Sequence, residues 1–207
     1  MGVHNHAFQS DLTRGERNDV INVIYDILCD YFHISSSQIE QVEYTKNTEH
    51  RNLQKKGVDF RLRDNTGNVW NIDVKYRDTF PKNYQFDDIG WETSHTIDKS
   101  GRTVYRYGWG IKEGCLTDLI IWVYWPIRKF ILVDYDSVRQ YYMNLDEQKL
   151  LQNERFRRSY TKNNQGKVLY YTWSYYLKNK EISNSIVGIY RIVGDRLRRI
   201  RKVAHIL

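Results

Sequence analysis

The chain has 207 residues, of which 41% are hydrophobic and 28% are charged, a composition that predicts a soluble globular protein with a real core. No apolar run approaches the ~20 residues of a membrane span, and the N-terminal segment lacks the apolar centre of a secretory signal. Cys29 and Cys115 lie far apart and in no metal-ligand spacing. We therefore expect free thiols in a cytoplasmic protein, and no zinc site.

The formal charge of +7 includes two concentrated basic runs. "RIVGDRLRRIRK" contains six basic residues against one acid, and "RFRRSYTK" contains four basic residues and no acid. One interpretation is a solvated tail and a solvated helix end. The other is a nucleic-acid surface, in which the second half of the first run contacts phosphates. The residues concerned are Arg196, Arg198, Arg199, Arg201 and Lys202.

The first predicted element is an amphipathic helix over "RGERNDVINVIYDILCDYF". Its apolar stripe at helical spacing comprises Val20, Ile24, Ile27, Leu28 and Tyr31. Thr13 is predicted to cap the helix, and Glu16 follows three residues later, as in a capping box. Glu16 also lies one turn before Val20, at the end of the buried face. Its side chain therefore has two interpretations, a cap partner or an acid directed at a site.

The rest of the chain predicts mainly strands. A turn-rich joint, a short strand at "QVEYT" and a β-hairpin from Gly57 to Arg77 come first, followed by an irregular stretch from Asp78 to about Thr117. "LIIWVYW" predicts a strand buried on both faces, and "FILVDY" its neighbour. A polar helix beginning at Asp136 and strands at "KVLYYTWSYY" and "SIVGIYRIV" complete the pattern.

These elements predict one α/β (α+β) domain over 1–207, with a mixed β-sheet core flanked by helices. The predicted core covers about 12–157, and the C-terminal strands and basic tail cover 158–207. We find no repeat, low-complexity block or linker in the sequence.

The predicted hairpin places two aspartates opposite each other. Gly67 supplies the left-handed residue that closes a three-residue loop, so Asp64 faces Asn68. Counting outward from this pair, Asp59 faces Asp73, at ~5 Å between Cβ atoms. Lys75 lies on the same face because side chains alternate along a strand.

Directly opposed like charges destabilise a sheet, so an Asp–Asp pair calls for an explanation. A divalent cation removes the repulsion, and Mg²⁺ favours carboxylate oxygens together with water and phosphate. A neighbouring ammonium group such as that of Lys75 can hold a water and neutralise charge on a phosphate. A second acid-x-Lys triplet ends at Lys149, but it lies in a predicted helix without a partner acid.

The order of these residues resembles the PD-(D/E)xK nuclease superfamily, which has the restriction-endonuclease-like fold. The similarity covers roughly residues 12 to 135, and "QKKGVDF" through "NIDVKYR" contains the signature. Val58 replaces the nominal proline of the motif, and Asp73 replaces the commoner glutamate. Neither departure removes a functional group.

The resemblance implies a site in which Asp59 and Asp73 bind Mg²⁺, with Mn²⁺ as a substitute, and Lys75 assists the attacking water. It also implies Glu16 and the backbone carbonyl of Val74 as further metal ligands. The expected activity is a Mg²⁺-dependent endodeoxyribonuclease of a restriction or mobile-element type, acting on double-stranded DNA, with a homodimer as one option. The alternatives are a Holliday-junction resolvase or repair nuclease of the same fold, and a non-catalytic nucleic-acid-binding protein.

Overall fold

The structure is a computed structural model that describes residues 14–43, 46–77, 88–99, 102–145, 156–162 and 168–202. Backbone contacts divide the chain into two compact units, and each is described by itself. The first unit comprises Met1–Tyr84, Leu116–Tyr135 and Ile186–Leu207, and the second comprises Gln85–Cys115 and Asp136–Ser185. The single domain predicted over 1–207 stays a prediction.

The fold is mixed α+β, as predicted. The first unit contains a seven-stranded sheet in the order β1-β2-β3-β6-β7-β10-β11. The strand bounds are β1 Ile39–Gln41, β2 Phe60–Arg63, β3 Val69–Arg77, β6 Leu119–Tyr124, β7 Lys129–Asp134, β10 Ile186–Val193 and β11 Arg196–Lys202. β3 and β6 run parallel and every other neighbouring pair is antiparallel, so the sheet is mixed.

Helix α1, Arg14–Phe32, packs on one face of this sheet, as its apolar stripe predicts. The five stripe residues named above are all buried. They form one core with the apolar side chains of the central strands, among them Phe60, Ile72, Leu119 and Phe130. β6 is buried at every residue, which confirms the prediction of a strand covered on both faces.

The connection between β1 and β2 differs from the prediction. β1 begins at Ile39, before the predicted "QVEYT" strand, of which residues 44–45 lie outside the described residues. A helix that we did not predict, α2 at Thr48–Lys55, follows it. Asn47 caps α2 by accepting a hydrogen bond from the backbone N–H of His50 at 2.8 Å. The two-turn length and polar composition of α2 give little periodic signal.

The second unit contains a four-stranded antiparallel sheet in the order β5-β4-β9-β8 and nearly all of helix α3. The element bounds are α3 Tyr135–Met143, β4 Asp88–Lys99, β5 Arg102–Tyr107, β8 Phe156–Lys162 and β9 Val168–Lys178. The prediction of an irregular stretch from Asp78 to about Thr117 is therefore wrong, because β4 and β5 lie within it. Their polar residues conceal the period of two, and antiparallel pairing with β9 makes β4 an inner strand.

The basic C-terminal run is also not a tail. Arg196–Lys202 forms edge strand β11, joined to β10 by the two-residue turn Gly194-Asp195. Gly194 has φ of +60°, as such tight hairpin turns require. The second basic run lies largely in β8 rather than at a helix end. In both runs strand pairing outweighs the charge pattern on which the prediction rested.

Candidate metal centre

The β2–β3 hairpin has the predicted register. Phe60 pairs with Ile72 and Arg63 with Val69, so counting outward from the turn was correct. The Asp64 carboxylate accepts hydrogen bonds from Thr66, Asn68 and Trp70 within the hairpin, and Gly67 adopts φ of +91°. The hydrogen bonds from Thr66, followed by that from Trp70, hold the pKa of Asp64 well below its usual range. These contacts fix which residues of the two strands face each other.

Asp59 lies one residue before β2, and its main chain is held on both sides. Its N–H donates to the carbonyl of Ile72 and its carbonyl accepts from the N–H of Val42, each at 2.8 Å. Its side chain turns back to the hairpin, where Oδ2 accepts a hydrogen bond from the Val74 N–H at 2.9 Å. The carboxylate of Asp59 is thereby anchored next to the residue that follows Asp73.

Asp73 lies in the middle of β3, between β2 and β6, and is 3% exposed. Its Oδ2 forms an ion pair with Nζ of Lys75 at 2.6 Å. The ammonium of Lys75 thus compensates the charge of this buried carboxylate.

The two carboxyl groups interact directly. Burial first, and then the negative charge of Asp73, raise the pKa of Asp59 to about 8. The ammonium of Lys75 and the Val74 N–H oppose this rise. The raised pKa favours the protonated form of Asp59 near neutral pH, whereas a divalent cation beside two carboxylates would favour the ionised form.

Helix α2 supplies a further polar contact. The Gln54 side-chain amide donates to the Val42 carbonyl at 2.7 Å and makes a long contact of 3.5 Å with Asp59 Oδ1. One turn earlier, the buried His50 accepts a hydrogen bond from the N–H of Glu43 through Nδ1. The helix thus fixes the segment that pairs with Asp59 through two side chains on one face.

A segment immediately before β6 holds both strands of the hairpin. Thr117 Oγ1 donates to the Gly57 carbonyl at 2.7 Å, two residues before Asp59. The Asp118 carboxylate accepts from the Asn71 N–H at 2.7 Å, two residues before Asp73. We call Thr117 and Asp118 the clamp. The Thr-Asp pair is visible in the sequence, but its role depends on the parallel pairing of β3 with β6, which no local pattern predicts.

The structure brings Asp59, Asp73 and Lys75 together. The Val74 N–H donates a hydrogen bond to the Asp59 carboxylate, and the metal contact predicted for the Val74 carbonyl stays a prediction. Glu16 belongs to α1, but its side chain lies outside the described residues. No group of three His, Cys, Asp or Glu side chains suited to a metal ion occurs among the described residues. The described part of the site therefore offers two carboxylates, which fits Mg²⁺ because this ion keeps several waters.

The five basic residues predicted to contact nucleic acid all lie in β11. Arg196 and Arg198 are exposed, whereas the side chains of Arg201 and Lys202 lie outside the described residues. Arg199 is engaged internally. Its guanidinium pairs with Asp30 of α1 at 2.7 Å and donates to the Tyr190 hydroxyl at 2.8 Å. These contacts fasten β11 to the helix, so Arg199 is not assigned to phosphate binding.

Comparison of the chain with protein-family models, with curated proteins and with solved structures finds no match. Among the described residues, no helix combines the length and apolar character needed to cross a membrane.

Proposed function

We propose that this protein is a Mg²⁺-dependent endodeoxyribonuclease, with Mn²⁺ able to replace Mg²⁺. The observation that supports this most is the position of Asp59 opposite Asp73 across the hairpin, with the ammonium of Lys75 paired to Asp73. Two facing acids and an adjacent lysine favour hydrolysis of a phosphodiester, in which a cation binds the acids and the lysine faces developing charge.

Energetics also favour a cation in this proposal. A structural role would be better served by a neutral pair, because holding the half-buried Asp59 beside the buried Asp73 costs free energy unless the charge is compensated. Lys75 compensates one of the two charges, and its side chain is 22% exposed. The second charge is balanced by a proton in the metal-free site and by Mg²⁺ in the loaded one.

The roles of the residues follow from their positions. Asp59 and Asp73 hold the metal, with Glu16 and the Val74 carbonyl as further ligands suggested by the resemblance to PD-(D/E)xK nucleases. When bound, Mg²⁺ supplies positive charge to the phosphate oxygens and to the leaving oxygen. Lys75 orients the attacking water and stabilises the negative charge that grows on the phosphate. The order of α1, the hairpin and the parallel strand β6 is consistent with a restriction-endonuclease-like fold.

The natural substrate in this proposal is double-stranded DNA in a restriction or mobile-element context, and the location is the cytoplasm, where the free Cys29 and Cys115 stay reduced. A resolvase or repair nuclease would use the same residues and is distinguished by preference for branched or damaged DNA. The exposed Arg196 and Arg198 equally favour a second candidate, a non-catalytic nucleic-acid-binding protein. A homodimer is compatible with each of these functions.

The direct test is cleavage of supercoiled, linear, branched and single-stranded DNA, and of RNA, in Mg²⁺ or in EDTA. We expect metal-dependent cleavage by the wild type and a loss of ~10²–10³ in rate for Lys75→Ala, since one electrostatic contact to the transition state is removed. Asp73→Asn should be inactive because it removes an anionic ligand.

Lys149→Ala is the matched control, because Lys149 ends the second acid-x-Lys triplet of the sequence, for which no partner acid is predicted. It should cleave at the wild-type rate. Full activity of Lys75→Ala, or no metal-dependent cleavage of any substrate by the wild type, would contradict the nuclease function. The second candidate predicts binding without cleavage.

A further inference from the structure

Three basic residues lie directly opposite one another on adjacent strands of the seven-stranded sheet. Arg191 of β10 pairs with Lys129 of β7 on one side and with Arg198 of β11 on the other. Arg191 and Arg198 are exposed, and Lys129 is half-buried with its Nζ 5.9 Å from the centre of the Tyr124 ring. We call Lys129, Arg191 and Arg198 the cation row.

The cation row lies on the sheet face that carries Lys75 and Asp73. Lys75 is the neighbour of Trp122, and Trp122 is the neighbour of Ile131. Lys129 is two residues from Ile131 and so points to the same side. On regular sheet spacings, the Cα atom of Lys129 lies ~10 Å across the sheet and ~7 Å along it from that of Lys75. Trp122 and Ile131, which lie between Lys75 and the row on this face, are buried, so the row is separate from the candidate metal centre.

Three directly opposed cations cost stability, as like charges on neighbouring strands repel. Charged residues often protect an edge strand from pairing with another molecule. That role accounts for Arg196 and Arg198 of β11, the edge strand. It does not account for Arg191 or Lys129, because β10 and β7 are inner strands.

We propose that the cation row binds the phosphodiester backbone of a nucleic acid that crosses β7, β10 and β11. The inference rests on the proposed function for the identity of the ligand as a nucleic acid. Three strands at ~4.8 Å spacing cover ~10 Å. The row is longer than the rise between consecutive phosphates of one DNA strand, ~3.4 Å along the helix axis, so a backbone lying along the row can contact more than one of its cations.

The side chains of β11 alternate between the two faces of the sheet, which divides the basic run into two groups. Arg196 and Arg198 face the side of the cation row, and Arg196 lies diagonal to Arg191. Arg199 faces the opposite side, where it contacts Asp30 and Tyr190. Composition alone could not make this distinction. The strand pairing also adds Arg191 and Lys129 to the row, two residues that the sequence did not single out.

The experiment measures binding of a fluorescent DNA duplex of about 30 base pairs across a salt series in EDTA, where cleavage cannot occur. The double variant Arg191→Gln/Arg198→Gln should reduce the slope of log affinity against log salt by about 1.8, that is, ~0.9 for each phosphate contact. Between about 50 and 200 mM salt, the wild type should then lose about 12-fold more affinity than the double variant. The thermal unfolding midpoint of the double variant should not fall, because the substitutions relieve repulsion between the cations of the row.

Lys46→Gln, which removes one exposed positive charge, is the control, since Lys46 pairs with Glu40 at the far side of the sheet, near β1. Its salt slope should equal that of the wild type. An unchanged slope in the double variant overturns the inference. Binding of the wild type to vesicles rich in anionic lipid, without binding to DNA, also overturns the inference. In that case the exposed apolar side chains of Val193 and Ile200 beside the row would contact the lipid.

Cleavage in Mg²⁺ is measured separately, so the two proposals can fail independently. A reduced slope together with no metal-dependent cleavage supports the cation row and contradicts the nuclease. Cleavage with an unchanged slope supports the nuclease and contradicts the cation row.

Discussion

Asp59 holds its proton more tightly in the folded protein than in the unfolded chain. Burial and the charge of Asp73 raise its pKa from 3.8 to about 8. A raised pKa means that the contribution of this carboxyl group to stability is full below about pH 4 and is lost as the pH rises through about 8. The metal-free protein therefore becomes less stable over this window because of its own candidate ligand.

Asp59→Asn should stabilise the metal-free protein in EDTA at about pH 8, because the amide is neutral and avoids the cost of ionisation. Each kcal/mol gained raises the unfolding midpoint by about 2–4 °C in a chain of this size. Thermal denaturation at about pH 5 and pH 8 checks this. The gain should shrink at the lower pH, where the wild type is already protonated, and an equal gain at both pH values would contradict the raised pKa.

At the scale of elements, the parts that the sequence predicted well are those with a local signal. The stripe of α1, the apolar runs of β6 and β7, and the Gly67 turn each contain their own period or turn residue. The hairpin register followed from that turn, and with it the facing of Asp59 and Asp73.

The parts that the sequence did not predict depend on distant partners. β4 is polar and becomes an inner strand through pairing with β9, far along the chain. β11 is basic and becomes a strand through the turn at Gly194 and the contacts of Arg199 with α1. The clamp acquires its role only when β6 lies parallel to β3. Periodicity within a segment contains no information on such pairings.

The clamp yields a prediction at this scale. Asp118→Ala leaves the N–H of Asn71 without its acceptor and should lower the free energy of unfolding by ~1–3 kcal/mol, as measured by urea denaturation. The substitution should also weaken Mg²⁺ binding, because the hydrogen bond from Asn71 to Asp118 positions β3, the strand that carries Asp73. Asp118→Asn keeps a carbonyl acceptor and serves as the control. If both variants bind Mg²⁺ like the wild type, the clamp has no part in positioning the site.

At the scale of the whole molecule, the seven-stranded sheet carries the residues of both proposals, the candidate metal centre and the cation row. Its central strand β3 presents Asp73 and Lys75, while its last two strands present Arg191 and Arg198 on the same face. α1 covers the opposite face with the apolar core. The first face combines opposed acids at one place with opposed cations at another, and buried side chains of β6 and β7 lie between them.

The central claim is that Asp59 and Asp73 form a divalent-cation site, and calorimetric titration of the protein with Mg²⁺ tests it most directly. We expect saturable binding that displaces the Asp59 proton, so below about pH 8 the affinity should rise about tenfold per pH unit and the heat should depend on the buffer. Asp73→Asn should abolish this binding, whereas Glu49→Gln, which alters an exposed carboxylate on α2, should retain it. Wild-type protein that binds neither Mg²⁺ nor Mn²⁺, or Asp73→Asn protein that binds as tightly as the wild type, would contradict the account.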